Sequence, residues 1–307
     1  MKRFFDVALC LSFYAVILLF SACRSAPLPP PVAEEPPPPL LPFPAPTLAF
    51  DSIRAESPDY LTLHFALDVE NPLPAAGQVT LESWRVEING QAAHSGFALE
   101  GAESAFLITP ETAASFPLKL NMDVPALITE GLAPADDYEV RLIAELGFSH
   151  DRGGELSRYL PPGRLQVCSL AAFPGVRPPV FSINDIAILK AELINTRFRV
   201  GMTIDNPNAF PVVLSSFDYE LYGNGRFWAE GTERNLIQIP AKSSVEGNIF
   251  LLMNFMGMRR ALLDQIINLV DVNYRFIGEV QVSTGVDFLP TFVTAFDISG
   301  FSRVLEQ

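Results

Sequence analysis

Histidines are the side chains best suited to acid–base or metal chemistry, and this chain has three: His64, His94 and His150. None has a second histidine, a cysteine or a carboxylate at the spacing of a zinc site. No Gly-x-Ser-x-Gly segment, which would present a nucleophilic serine, occurs in the sequence. The sequence therefore predicts a protein that is not an enzyme and that has no catalytic, metal-binding or cofactor-binding residues.

A glycine-rich stretch at residues 223–231, Gly-Asn-Gly-Arg-Phe-Trp-Ala-Glu-Gly, superficially resembles a phosphate-binding loop. Its glycines lack the Gly-x-Gly-x-x-Gly spacing, and they lie in a predicted hairpin rather than before a helix. Within it, the Phe227–Trp228 pair could contact an apolar ligand. The simpler interpretation is that one ring points inward and the other outward along a strand.

Cysteines are the other reactive side chains, and one of them, Cys23, follows a segment typical of export. Two basic residues precede an apolar run of 14 residues, 7–20, which is shorter than the roughly 20 residues of a membrane-spanning helix. The Phe-Ser-Ala-Cys sequence that follows resembles a lipobox, so residues 1–22 are predicted to be a signal peptide and Cys23 to be lipidated. The alternatives are an ordinary signal peptide or an uncleaved anchor with an incidental cysteine.

This export signal predicts a lipoprotein anchored to a bacterial cell membrane. Arg24, where an aspartate would favour retention in the inner membrane, points to the outer membrane. Cys10 would be removed with the signal peptide, so Cys168 could form no disulfide within the mature chain. Its setting, Arg-Leu-Gln-Val-Cys-Ser-Leu, predicts a buried strand residue.

Residues 23–46 are predicted to be a lipidated N-terminus followed by a proline-rich linker. Between Pro27 and Pro46, 11 of 20 residues are proline. Such a segment favours extended polyproline II and would reach about 60 Å as a semi-rigid stalk. A ligand for a proline-binding module is the alternative interpretation.

Charge and composition limit the partners. The net charge of −14 and the absence of a basic cluster beyond the N-terminus argue against nucleic acid, because an acidic surface repels phosphates. The 24 phenylalanines and the many β-branched residues favour a sheet-rich protein.

The chain after residue 46 contains two similar halves, which indicates a duplicated domain. An offset of 135 residues relates Asn71–Pro72 to Asn206–Pro207, Trp84 to Tyr219, and Asn89–Gly90 to Asn224–Gly225. Earlier residues align at 133, as Leu48 with Phe181, and later ones at 136, as Val140 with Phe276. The predicted domains are residues 47–173, a diverged copy, and 179–303, joined by residues 173–180.

Each half alternates apolar and polar residues with a period of two, as in Leu-Thr-Leu-His-Phe-Ala-Leu-Asp-Val at 61–69. The Asn-Gly pairs predict hairpins, and a helical apolar spacing predicts a helix at 258–270, with a shorter counterpart at 124–132. The pattern therefore predicts an all-β protein made of two tandem antiparallel β-sandwiches, each with a short helix.

An Asn-Pro step follows an alternating strand in both halves. Proline removes the next donor of the strand ladder, and the asparagine side chain can hold the exit turn. A ligand site formed by Asn206 and Asn208 is the alternative. Because a strand stop needs only the Asn-Pro step, Asn206→Ala is expected to lower stability by about 0.5–2 kcal/mol and Asn208→Ala to have little effect.

The second half resembles the late embryogenesis abundant type 2 family, the water stress and hypersensitive response domain. The residues that carry the resemblance are Asn206–Pro207–Asn208, Tyr219, Asn224–Gly225 and Ile239–Pro240–Ala241. The first half departs from this pattern, with Leu73 in place of the second asparagine. The resemblance implies a fibronectin type III-like or immunoglobulin-like sandwich with a helix, and a folded, stress-associated protein without known catalytic residues.

Two classes of function remain open. The first is a membrane-anchored envelope lipoprotein with a structural or stress-protective role, including a response to desiccation, that acts through contacts with envelope proteins. The second is a binding module that holds an apolar ligand or lipid between its sheets or at the domain joint, or an envelope assembly partner. An apolar concavity in the fold would favour the second class, and closed cores would favour the first.

Overall fold

The structure is a computed structural model and describes residues 44–73, 75–101, 105–150, 165–190, 196–253 and 271–306. The predicted signal peptide, Cys23 and most of the proline-rich linker lie outside the described residues, as does the helix predicted at 258–270. No helix in the described part of the chain is long and apolar enough to cross a membrane.

The first half, called here the first unit, contains two antiparallel sheets. Its strands are β1 (Thr47–Ser57), β2 (Tyr60–Asn71), β3 (Gly77–Ile88), β4 (Gln91–Ala93), β5 (Phe97–Glu100), β6 (Phe106–Ile108), β7 (Thr112–Asp123), β8 (Asp137–His150) and β9 (Leu165–Pro174). One sheet has the order β1-β2-β7-β5, and the other has the order β4-β3-β8-β9, with β6 paired to β3.

The second half, called the second unit, repeats this arrangement. Its strands are β10 (Val180–Lys190), β11 (Thr196–Asp205), β12 (Val212–Gly223), β13 (Arg226–Glu233), β14 (Ile237–Ile239), β15 (Ser244–Met253), β16 (Asp271–Val286) and β17 (Leu289–Glu306). The order is β13-β12-β16-β17-β10-β11-β15, with β14 paired to β12. The prediction of an all-β fold with antiparallel sheets is confirmed.

One strand contact in the second unit is parallel, which the sequence did not predict. The end of β17 pairs with β10, with Ala187 opposite Leu305, so the two facing sheets of the second unit are hydrogen-bonded to each other along one edge. Because β17 has 18 residues and strands twist, its end can reach the other sheet. The strand also continues to Glu306, past the predicted boundary at residue 303.

Alternation along the strands builds the cores. In β2, Leu63, Phe65 and Leu67 are buried, whereas Thr62 and His64 on the opposite face are only half-buried. The second core is richer in aromatic rings. Phe217 stacks on Phe296 with ring centroids 4.9 Å apart. Burial of one face of each strand against the facing sheet stabilises both units.

Both Asn-Gly pairs form the predicted two-residue hairpins. Backbone φ is 49° at Asn89 and 79° at Gly90, and 49° at Asn224 and 74° at Gly225. Positive φ at both positions is the type I′ geometry, which matches the twist of the flanking strands. The side-chain Oδ1 atoms of Asn89 and Asn224 accept hydrogen bonds from backbone amides of β8 and β16, at 2.8 and 3.1 Å.

The short helix predicted in the first unit is present as α1 (Val124–Thr129). Asp123 caps its start, because its carboxylate accepts a hydrogen bond from the amide of Ala126 at 2.9 Å. The chain leaves the helix through Gly131, which has a φ of 102°. Glycine adopts this positive φ readily because it has no Cβ.

The strand registers correct two predicted alignments between the units. Val86 pairs with Leu142, and the corresponding Leu221 pairs with Phe276, so Phe276 corresponds to Leu142 at an offset of 134. The sequence alignment had matched Phe276 with Val140. It was therefore wrong by two residues.

The first strand of each unit shows the same error. Leu48 pairs with Leu67, and Ile183 pairs with Met202, so Leu48 corresponds to Ile183 at an offset of 135. The sequence alignment had matched Leu48 with Phe181. A slip of two residues keeps every side chain on its face, so the apolar pattern cannot detect it.

Candidate functional site

The asparagine of the Asn-Pro step is buried in both units and makes the same contacts. Asn71 is 2% exposed. Its side-chain amide donates to the carbonyls of Ala75 at 2.9 Å and Thr109 at 3.1 Å. Its Oδ1 accepts from the amide of Leu73 at 3.1 Å. The side chain therefore ties the end of β2, in one sheet, to the end of β6, in the other.

Asn206 repeats this network. Its amide donates to the carbonyls of Phe210 at 2.8 Å and Pro240 at 3.0 Å, and more weakly to that of Ile239 at 3.3 Å. Its Oδ1 accepts from the amide of Asn208 at 3.0 Å. All four groups belong to the protein backbone, so the geometry is that of an internal brace between the sheets.

Asn208 has a role that the sequence did not predict. Its side chain is fully buried and bridges the backbone of Arg177, accepting from the amide at 2.7 Å and donating to the carbonyl at 2.8 Å. These contacts argue against the expectation that Asn208→Ala has little effect, because the backbone amide and carbonyl of Arg177 would both lose their partner. Asn208 fixes the segment between the units onto the second unit.

Leu73 stands at the corresponding place in the first unit, two residues after the end of β2. It is an apolar residue that is 5% exposed, so the first unit has a buried leucine where the second unit has the buried Asn208.

A charged cluster, formed by Asp136, Arg177 and Lys242, lies at the same joint. The carboxylate of Asp136, in the first unit, pairs with the guanidinium of Arg177 at 2.5 Å and with the ammonium of Lys242, in the second unit. Both cations also donate to the carbonyl of Pro207, at 2.5 and 2.9 Å. The cluster thus connects the first unit, the joint and the Asn-Pro loop of the second unit.

The cluster has a predictable pH dependence. The hydrogen bond from Lys242, with the charge of Arg177 beside it, lowers the pKa of Asp136 below its ordinary value of 3.8. A lowered folded-state pKa contributes stability that is present above the unfolded pKa and is lost as the pH falls through the folded one.

We therefore expect Asp136→Asn to be less stable than wild type at pH 7, by a small amount because the carboxylate is near the surface. The difference between the two proteins should shrink as the pH falls below about 4. Urea unfolding over a pH series measures it, with the adjacent Asp137→Asn as a control that removes the same charge. A difference that stays constant from pH 7 to pH 3 would contradict the assignment.

An apolar contact accompanies the charged one. Phe288, at the turn between β16 and β17, packs against both cores. Its ring meets Phe173 of the first unit edge-on, with centroids 5.9 Å apart. Leu61 and Tyr138 line the same contact. Gly175 allows the close approach, because a Cβ there would lie 2.3 Å from the carbonyl oxygen of Ala135.

A cavity of about 220 Å³ opens between the two sheets of the second unit. Five buried apolar side chains form its walls: Met202, Ile204, Leu214, Phe217 and Ile249. Ser216, Glu233, Asn235 and Asn248 also line it. The interior is suited to an apolar group and the remaining lining supplies hydrogen-bonding side chains.

The first unit fills the corresponding space with two aromatic rings. Phe116 pairs with Leu67 in the way that Gly247 pairs with Met202, so Gly247 stands where the first unit has Phe116. By the same comparison Ile237 replaces Phe106. The rings of Phe106 and Phe116 stack with their centroids 4.5 Å apart.

A larger open groove lies on the outer face of the β13-β12-β16-β17 sheet and is acidic. Two of its carboxylates bind partners within the sheet: Asp297 pairs with Arg275 at 2.6 Å, and Glu220 accepts a hydrogen bond from Tyr222 at 2.6 Å. Arg275 in turn lowers the pKa of Asp297 through its hydrogen bond. These contacts describe a solvated sheet face rather than a ligand site.

The other residues singled out in the sequence are scattered. His64 is half-buried on β2 opposite Lys119, and His94 is exposed after β4. In the described ranges no group of three or more histidine, cysteine, aspartate or glutamate residues could hold a metal ion. Asn206–Pro207–Asn208 and Asn224–Gly225 lie beyond opposite ends of β12 and do not form one site.

Two of the remaining predictions have different outcomes. Cys168 is exposed rather than buried, because the alternation of β9 turns Val167 and Ala171 inward. The inward–outward interpretation of Phe227–Trp228 is confirmed: Trp228 is 4% exposed and Phe227 is 45% exposed.

Part of the second unit matches a known protein family. Residues 202–292 match the family model described as late embryogenesis abundant protein, and the predicted resemblance is confirmed over this stretch. The family is generally non-catalytic, and the match suggests a stress-related or binding β-domain. A search of curated protein sequences gives no match.

Two solved structures are distantly similar to this chain. A crystal structure of a protein from Archaeoglobus fulgidus is 17% identical, with 41% of this chain and 95% of that chain covered and a TM-score of 0.27. A solution structure of an Arabidopsis thaliana protein is 13% identical, with 41% and 82% covered and a TM-score of 0.32. Scores this low support no inference about function.

Proposed function

We propose that the protein is a non-catalytic, membrane-anchored envelope lipoprotein with a structural or stress-protective role. In this proposal a lipid on Cys23 and the proline-rich linker hold the two units away from the membrane as one stiff body. The observation that carries the proposal is the double contact at the joint, where Phe288 packs into the first unit and Asp136 binds Arg177 and Lys242.

The joint supports a mechanical role because it restrains the two units in two independent ways. An apolar contact resists separation, and the charged cluster with the Asn208 bridge fixes orientation, since hydrogen bonds are directional. Tandem domains joined by a bare flexible linker would move relative to each other. A stiff pair on an extended stalk is suited to span a distance from the membrane and to present a fixed surface to other envelope proteins.

The anchor is tested by replacing Cys23. We expect Cys23→Ala to abolish incorporation of a radiolabelled fatty acid and to change the mature N-terminus, because the acyl groups would be attached to that residue. Membrane fractionation, with separation of inner from outer membranes, measures the location. Cys168→Ala is the matched control, because it removes an exposed thiol and should leave labelling unchanged. Unchanged labelling of Cys23→Ala would overturn the anchor.

The protective role is tested in cells that lack the protein. We expect such cells to lose envelope integrity on drying, measured as dye uptake after rehydration, and wild type to restore it. Both Cys23→Ala and Phe288→Ala should restore it less well, because one detaches the units and the other loosens the joint. Equal rescue by Phe288→Ala, at equal protein abundance, would show that stiffness has no part in the role.

A further inference from the structure

The cavity of the second unit exists because Gly247 stands where the first unit has a phenylalanine. Nothing in the fold requires glycine there. The position lies within β15, and an added Cβ would meet only the Cγ of Met202, at an ordinary 3.8 Å. At Gly223, by contrast, the same addition would lie 1.9 Å from the ring of Trp228.

A glycine in the interior of a strand lowers stability and frequently marks the close approach of a ligand. An empty apolar cavity lowers stability further, in proportion to its volume. The first unit avoids both costs with the stacked Phe106–Phe116 pair. The opening in the second unit is therefore a feature that packing alone does not explain, and a ligand that fills it would recover the lost contacts.

The size and lining of the cavity restrict the ligand. At about 220 Å³ it is smaller than the roughly 300–1,000 Å³ of sites for drug-sized molecules. It exceeds the roughly 150 Å³ of an apolar cavity that admits a single benzene ring. One narrow hydrocarbon chain fits this size, because it needs little width and no polar partners inside.

The polar lining restricts the headgroup. Asn235 and Asn248 offer amide donors and acceptors, and Ser216 offers a hydroxyl. Glu233 adds a carboxylate, which repels an anionic headgroup such as that of a free fatty acid. We infer that this cavity, between the sheets of the second unit, binds the acyl chain of an amphiphile with an uncharged, hydroxyl- or ester-bearing headgroup.

The cavity is the apolar concavity expected of a binding module, so this inference adds a binding function to the structural role. It is independent of the lipid anchor and of the stiff joint. An amphiphile bound in the cavity would be a ligand of the second unit alone. Its absence would leave the structural proposal intact, and failure of the anchor would leave the cavity in place.

The test uses the full-length protein in its native membranes and a defined probe. The probe is octanoylglycerol with a photoactivatable diazirine and an alkyne on its acyl chain. We expect crosslinks, mapped by mass spectrometry, at the walls of the cavity around Met202 and Ile249. Unlabelled octanoylglycerol should displace the probe at about tenfold lower concentration than octanoate, because of the charge on Glu233.

Variants of the two corresponding positions provide the controls. Gly247→Phe should lower crosslinking in the second unit about tenfold by filling the cavity. The smaller Gly247→Leu should lower crosslinking in part, and it provides the test if Gly247→Phe does not fold. Phe116→Gly should create crosslinking in the first unit. Crosslinking that is equal in wild type and Gly247→Leu, or stronger displacement by octanoate, would overturn the inference.

Discussion

Replacing Asn206 by alanine is expected to lower the free energy of unfolding by about 3 kcal/mol, more than the roughly 0.5–2 kcal/mol expected from the sequence for one local hydrogen bond. The substitution removes four hydrogen bonds to backbone groups, and it leaves the carbonyl of Ile239 and the amide of Asn208 buried without those bonds. Each buried group left unpaired costs about 1–3 kcal/mol, partly relieved by relaxation. The loss separates the Asn-Pro loop from the end of β14.

Asn71→Ala should have a smaller effect than Asn206→Ala. Both side chains brace their own unit, but Asn206 also accepts a hydrogen bond from the side chain of Asn208 at 2.9 Å. Urea unfolding of the full chain measures the losses, with the exposed Asn273→Ala as the control substitution. Equal stability of Asn206→Ala and Asn273→Ala would show that the brace is not structural and would favour a ligand site in this loop.

Phe288→Ala is expected to uncouple the two units. The ring packs against both cores, and truncation of a buried phenylalanine typically costs about 3–5 kcal/mol. Since Phe288 is only half-buried, we expect a loss of about 2–3 kcal/mol, drawn mainly from the contact between the units. Unfolding should then separate into two transitions.

The two tryptophans of the chain allow this to be observed. Trp84 lies in β3 of the first unit and Trp228 in β13 of the second, so Trp84→Phe and Trp228→Phe backgrounds report one unit each. The unfolding transitions of the two units should coincide in the protein that has Phe288 and should occur at different urea concentrations in Phe288→Ala. Phe301→Ala, which truncates a ring that is 65% exposed, should leave them coincident. Coincident transitions in Phe288→Ala would contradict the coupling.

Local signals made much of the fold readable from the sequence. The Asn-Gly pairs specify type I′ hairpins because few residues tolerate positive φ at both positions. Asp123 and Pro125 mark the start of α1, and alternation of apolar residues identifies the strands. The duplication was visible because the same local signals recur in the same order.

Registers between strands were less readable. The sequence alignment slipped by two residues at both Leu48 and Val140, because a strand pattern repeats every two residues and the slip leaves burial unchanged. Only the hydrogen-bonded pairs of the sheet, such as Leu221 with Phe276, fix the correspondence.

The sequence by itself thus determined the all-β class, the two copies, the hairpins and the Asn-Pro strand ends, all of which depend on residues close together in the chain. Only the tertiary structure decided that Asn208 holds Arg177, that Phe288 enters the first unit, and that Gly247 opens a cavity. Each of these features depends on a contact between residues that are 31 to more than 100 positions apart in the sequence. The residues next to a side chain in the sequence do not predict which distant residue it will contact, because that contact is set by how the sheets pack together.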